Sequence, residues 1–160
     1  MPRNIKEFSL FVYDFDGVMT NNTAIIDQDG KESVIVNRGD GLGITIIKKH
    51  NIEQLILSTE SNDVVLARAD KLKIPVIHDC QNKKEMLKKY CRKHKIKLKK
   101  VLYIGNDIND IEVMKKVGYK VCPADAHSSV RSIADLVTSS KGGEGVIREL
   151  IDLIEGINQI

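Results

Sequence analysis

Asp14 and Asp16 stand two residues apart at the end of the apolar run FSLFVYD, with Gly17 directly behind them. In an extended strand, positions i and i+2 point to the same side, so both carboxylates can face one site. Gly17 lets the chain turn sharply there. Two like charges leaving a buried strand repel each other and lose hydration, which is costly unless something binds them. A helix cap or a turn needs only one such residue. The pair therefore predicts a binding site at this strand end.

The elements that must position the pair are legible from periodicity. Residues 8–14, 54–58, 75–79, 101–105, 119–122 and 135–138 are short apolar runs that read as strands. Between them, 41–50, 61–73, 83–95, 108–117 and 127–134 have helical spacing, and EGVIRELIDLIEGIN (144–158) closes the chain as a helix. Strict alternation predicts an α/β fold: a three-layer, Rossmann-like parallel sheet with helical crossovers. One stretch departs from it. TAIIDQDGKESVIVNR (23–38) holds two β-rich runs around Asp29-Gly30, which predicts a β-hairpin inserted after the first strand. No other insertion is long enough for a cap domain, so residues 1–160 read as one domain. In such a sheet the ligand site lies beyond the carboxyl ends of the strands. Asp14, Ser58 and the loop from Gly105 each follow an apolar strand and are expected to gather at one edge.

Composition narrows the class further. The 160 residues, 42% of them hydrophobic, can bury a core. No apolar run is long enough for a membrane span, and MPRNIKEF lacks the apolar stretch of a secretory signal. Cys80, Cys91 and Cys122 suit neither a zinc site nor a disulfide framework, so reduced thiols in a cytoplasmic protein are expected. The net charge of +3 is unevenly placed: residues 83–100 hold ten Lys/Arg and one acid, Glu85, leaving 15 basic and 21 acidic residues elsewhere. That segment has one aromatic, Tyr90, and no nucleic-acid motif, so it reads as a solvated helix face rather than a nucleic-acid surface.

DFDGVMT (14–20) resembles the first motif of the haloacid dehalogenase (HAD) phosphatases, and further motifs of that superfamily follow in order. Ser58 closes the strand LILS, Lys83 opens a helix after QN, and GNDIND (105–110) follows VLYI. The resemblance spans nearly the whole chain. It implies a Mg2+-dependent phosphatase in which Asp14 attacks phosphorus and is transiently phosphorylated. Asp16 would then act as acid and base, Ser58 as a hydrogen-bond donor and Lys83 as a counter-charge, with Lys84 as the neighbouring alternative. The implied metal set is Asp14, Asp16 and the 105–110 loop. That loop departs from the commonest pattern, because Asn106 stands where an Asp usually follows the glycine. An amide oxygen can bind Mg2+, but the lost charge weakens the site. Either Asn106 is a ligand with Asp110 supporting it, or Asp107 takes the metal.

The hairpin, NRGDGLGI (37–44), PADAH (123–127) and KGGEGVIRE (141–149) resemble the small capless branch of this superfamily. That branch contains phosphatases of 3-deoxy-manno-octulosonate (KDO) 8-phosphate and of nine-carbon sialic acid 9-phosphates. The branch implies a homotetramer whose subunits complete each other's active sites, with the hairpins forming a central barrel and the Gly-rich segment with Arg148 and Glu149 shaping the site. KDO 8-phosphate phosphatases typically carry TGRK after the second motif, whereas this chain reads STES, with Glu60 in place of the arginine. By resemblance, Glu60 with Arg68 and Lys71 points to 2-keto-3-deoxynononic acid (KDN) or N-acetylneuraminate 9-phosphate. Thr20, Arg38 and Asp40 are weaker candidates for lining the same site. KDO 8-phosphate is the alternative substrate. A reading of a different class is a catalytically inert oligomerisation domain attached to a cytidylyltransferase, to which Asn106 gives some weight.

Overall fold

The protein is described by a computed structural model covering residues 3–155. Its first strand, β1 (Leu10–Tyr13), leads to a short antiparallel pair, β2 (Ile25–Ile26) and β3 (Glu32–Ser33). Then come α1 (Arg38–Lys49), β4 (Glu53–Leu57), α2 (Val64–Leu72), β5 (Val76–Ile77) and α3 (Lys83–Lys93). The chain closes with β6 (Val101–Ile104), α4 (Ile111–Met114), β7 (Tyr119–Cys122), α5 (Ser128–Arg131), β8 (Leu136–Val137) and α6 (Val146–Glu155). Six strands form one parallel sheet in the order β5-β4-β1-β6-β7-β8. This is the α/β architecture that the alternation predicts.

The sheet's centre is apolar on both faces because helices cover both, which is why its strands read as continuous hydrophobic runs. Alternate residues supply the two cores. Phe11, Tyr13, Ile56 and Ile104 pack with Ile44, Ile47, Val65 and Leu150 beneath α1, α2 and α6. Leu10, Val12, Leu55, Leu57 and Tyr103 pack with Leu87, Cys91, Met114 and Val130 beneath α3, α4 and α5. Cys80, Cys91 and Cys122 are free thiols buried in the second core. Among the described residues no helix is long and apolar enough to cross a membrane.

The differences from expectation sit at element ends. Helix α1 begins at Arg38, earlier than the expected 41, because the Asn37 side chain accepts the Gly39 N–H at 2.7 Å and caps it. The expected helix over 108–117 is a 3-10 turn (Ile108–Asp110) followed by one turn of α-helix, and the element expected over 127–134 shrinks to α5. Part of the expected last helix, 156–158, lies outside the described residues. The hairpin exists, but each strand has two residues, supplemented by a bridge between Thr20 and Val36.

Candidate active site

The three central strands β4, β1 and β6 end beside one another, so Ser58, Asp14 and Asn106 emerge together at the carboxyl edge of the sheet. Lys83 arrives from the N-terminal end of α3, which is capped by the Asn82 side chain accepting the Glu85 N–H at 3.1 Å. The sequence rule for open α/β sheets and the structure agree on this edge.

At its centre lies a buried polar network. Lys83 Nζ donates to Asp14 Oδ1 and to Asp110 Oδ1, each at 2.8 Å. The backbone N–H of Phe15 also donates to Asp14 Oδ1. Asp110 accepts the Tyr103 hydroxyl at 2.7 Å on Oδ1, and the N–H groups of Asn106 and Asp107 at 2.9 and 3.3 Å on Oδ2. Lys83 and Asp110 are 3% and 0% exposed, so these are ion pairs out of water, where an unpaired charge would be very costly. Burial pulls the Lys83 ammonium down, but Asp14 and Asp110 overcome it and hold the lysine charged. Burial and Asp110 push the Asp14 carboxyl up, while Lys83 pulls it back. An ammonium carries three N–H donors, and two are used here, so Lys83 keeps one for a ligand.

A cation fits beside Asp14. The end of the Asn106 amide that faces them lies 2.9 Å from the Asp16 main-chain oxygen and 2.8 Å from Asp14 Oδ2. Both are acceptors. With its NH2 turned to them, the amide satisfies both; turned the other way, it adds a third oxygen to the same point. Adjacent ligands of a small octahedral cation lie about 2.9 Å apart, given bonds of about 2.0–2.1 Å. Among the described residues no three His, Cys, Asp or Glu side chains converge as a metal site. The set relies instead on one carboxylate, one main-chain oxygen and one amide.

Asp16 and Glu60 share a hydrogen bond at the half-buried side of the site. Burial, then Glu60, then Glu32 push the Asp16 carboxyl up to about 6, so it holds a proton at pH values where an ordinary aspartate does not. Ser58 is buried, and its Oγ accepts the Glu60 N–H at 3.0 Å, leaving the hydroxyl proton free to donate.

Several expected site residues have other partners within this chain. Thr20 is fully buried, and its Oγ1 accepts the N–H groups of Gly17 and Asn22 at 3.2 and 3.1 Å. It shapes the loop after Asp14. Asp40 is also buried; its Oδ1 accepts Ile147 N–H and Arg148 N–H at 3.0 and 3.2 Å, which fixes the start of α6. Arg68 donates to the Asn37 carbonyl at 3.1 Å and lies near Asp40. With Arg38 and Lys71 it lines a cavity of 540 Å³ beside α1, and with Lys71 it also lines one that reaches Phe15 and Glu32. Asp107 caps the turn after it, accepting Ile108 N–H at 2.7 Å. Asp110 faces Lys83, not the oxygen cluster, because its lone pairs are already taken.

One residue escaped the sequence reading, and two segments named there show their contacts. Tyr103 orients Asp110, but a tyrosine inside VLYI carries no signal that separates it from core. Gly142 and Gly143 pack against the loop after Asp14: a Cβ on Gly142 would sit 2.1 Å from the Gly17 carbonyl, and Gly143 N–H donates to Val18 O at 3.1 Å. Within PADAH, Asp125 accepts Gly142 N–H at 2.9 Å while the His127 N–H donates to Asn106 O at 2.8 Å, so this loop ties the glycines to the metal-binding candidate.

Residues 5–150 match the haloacid dehalogenase-like hydrolase family. The chain belongs to that family, and it is a phosphatase of the branch typified by KdsC. It is 35% identical over 150 residues to the 3-deoxy-D-manno-octulosonate 8-phosphate phosphatase KdsC of Salmonella typhi, covering 93% of this chain and 80% of that protein. A HAD family hydrolase from Streptomyces avermitilis MA-4680 superposes with a TM-score of 0.96 at 46% identity, over 99% of this chain and 91% of that one. The KDO 8-phosphate phosphatase of Moraxella catarrhalis, solved with a magnesium ion, a phosphate ion and a KDO molecule, gives a TM-score of 0.89 at 29% identity. It covers 94% of this chain and 87% of that one.

Proposed function

We propose that the protein hydrolyses the phosphate monoester of a 3-deoxy-2-ulosonic acid, with KDO 8-phosphate as the leading substrate. The observation that carries the reading is Asp14, held by Lys83 on one oxygen and facing an oxygen cluster with the other. The sequence placed nine-carbon substrates first; the relatives favour the eight-carbon acid. Glu60 is the one observation that keeps the nine-carbon reading in play, since its carboxylate sits beside Asp16 where hydroxyls of a longer chain could donate to it.

Mg2+ would be held by Asp14 Oδ2, the Asp16 main-chain oxygen and the Asn106 amide oxygen, and supplies positive charge against the phosphoryl oxygens when bound. Asp14 attacks phosphorus in line and forms an aspartyl phosphate as the ester bond breaks. Asp16, raised to about 6, gives its proton to the leaving alcohol. It then takes a proton from the water that cleaves the aspartyl phosphate, which restores the Asp14 carboxylate and the Asp16 acid. The spare N–H of Lys83 and the Ser58 hydroxyl neutralise and orient the phosphoryl group.

The test is phosphate release from KDO 8-phosphate, KDN 9-phosphate and N-acetylneuraminate 9-phosphate, with Mg2+ and with a chelator. The expected result is turnover that needs Mg2+, prefers KDO 8-phosphate and drops at least about a thousandfold in Asp14→Asn. Preference for the nine-carbon esters would move the assignment to them. No metal-dependent turnover on any of the three would sink the enzymatic reading and favour an inert oligomerisation domain.

A further inference from the structure

The hairpin and the start of α2 enclose a second cavity of 540 Å³, lined by Lys31, Glu32, Ser61, Asn62, Asp63 and Val64. The Glu32 carboxylate is close enough to act on Asp16, and Asn62 donates its N–H at 2.7 Å to Glu60, the residue hydrogen-bonded to Asp16. Because Asp16 protonates the leaving alcohol, the carbon chain of the substrate lies beside Asp16 and Glu60, the side on which Ser58, Glu60 and Asn62 are linked by hydrogen bonds to this cavity's wall.

The lining is polar and short of partners. Asp63 precedes α2 without a side-chain capping bond, and neither it nor the Lys31 ammonium pairs with another described residue. Asn62 spends its Oδ1 on the Val64 N–H at 3.0 Å, which leaves its NH2 group for a ligand. Glu32 and Asp63 set two carboxylates against one lysine in this wall, so a second anion is disfavoured here. A neutral polyol suits the wall better: hydroxyls donate to the carboxylates and accept from Lys31 and Asn62. We propose that this cavity is the subsite for the hydroxylated carbon chain next to the scissile ester, with Lys31 and Asp63 as its selecting residues. The inference rests on the sugar-acid phosphatase reading above and adds residues that the motifs do not reach.

The experiment compares wild type with Lys31→Met and Asp63→Asn on KDO 8-phosphate and on p-nitrophenyl phosphate, which has no such chain. The readout is the ratio of kcat/KM on the sugar-acid ester to that on the aryl ester, which cancels any loss of folded enzyme. Each variant is expected to lower that ratio about three- to tenfold, through a higher KM on the sugar-acid ester. An unchanged ratio in both variants, with the wild type active on KDO 8-phosphate, overturns the subsite and leaves the phosphatase assignment standing. A wild type that hydrolyses only the aryl ester overturns the functional reading, and the subsite falls with it.

Discussion

Lys83 holds two buried carboxylates that pair with no other basic side chain among the described residues, and this sets how the site responds to mutation. Lys83→Met would leave Asp14 and Asp110 side by side and unpaired; breaking a buried pair from one side costs about 3–5 kcal/mol. Part of that is recovered as Asp14 protonates, since burial and Asp110 already push its carboxyl up, so urea denaturation should show the larger loss at pH 8 than at pH 5, with phosphate release abolished at both. Asn106 makes the opposite prediction. Asn106→Asp adds a negative charge to the oxygen cluster and should tighten Mg2+ binding about tenfold, or about 1.4 kcal/mol, in a calorimetric titration. Without Mg2+ the same change sets another carboxylate against Asp14 Oδ2 and should lower Tm, and added Mg2+ should restore it. Equal Mg2+ affinity in both forms would remove Asn106 from the ligand set.

At the scale of elements, the sequence was most informative where chemistry and topology reinforce each other. Asp14, Ser58 and Asn106 each end an apolar run, and parallel strands put such ends together. Polar residues elsewhere carried no such second signal. Asp40 and Thr20 look like site residues in sequence because they are polar and near the motifs, but both satisfy backbone N–H groups that the fold would otherwise leave bare. Only the packing of α6 on α1, a contact between residues 107 apart, reveals what Asp40 does. That role carries a pH signature. Burial raises the Asp40 carboxyl to about 6 even though Ile147 and Arg148 N–H pull it down. Between about pH 4 and 6 the folded protein therefore keeps a proton that the unfolded chain has lost, and stability falls as pH rises through that window. Asp40→Asn keeps an acceptor for α6 without the charge. Its Tm relative to wild type should climb from pH 4 to pH 7, whereas a constant offset would show that Asp40 does not titrate as placed.

At the scale of the whole molecule, the hairpin leaves Ile25, Ile26 and Ile35 more than 60% exposed, an apolar surface that no described residue covers. Such a surface on a two-residue ladder needs packing from outside to persist. We propose that it is buried between copies of this chain, as the resemblance to the capless branch implies. Ile25→Asp with Ile26→Lys should convert the assembly to a smaller particle by light scattering and lower turnover of the sugar-acid ester. An unchanged mass would show that the hairpin is not the contact. Composition could not disclose this surface, because isoleucines in a β-rich run look alike whether they face a core or a partner.

The contact between Gly142–Gly143 and the loop after Asp14 joins segments far apart in the sequence. The first hundred residues supply the nucleophile, its acid and Lys83, yet Asn106, the glycines and the α6 anchor of Asp40 lie further along the chain. Folding across such separations is slow, since long loops must close before the contacts that reward them form. The site is thus complete only once α6 has docked on Asp40, and activity regained during refolding would report the completed fold itself.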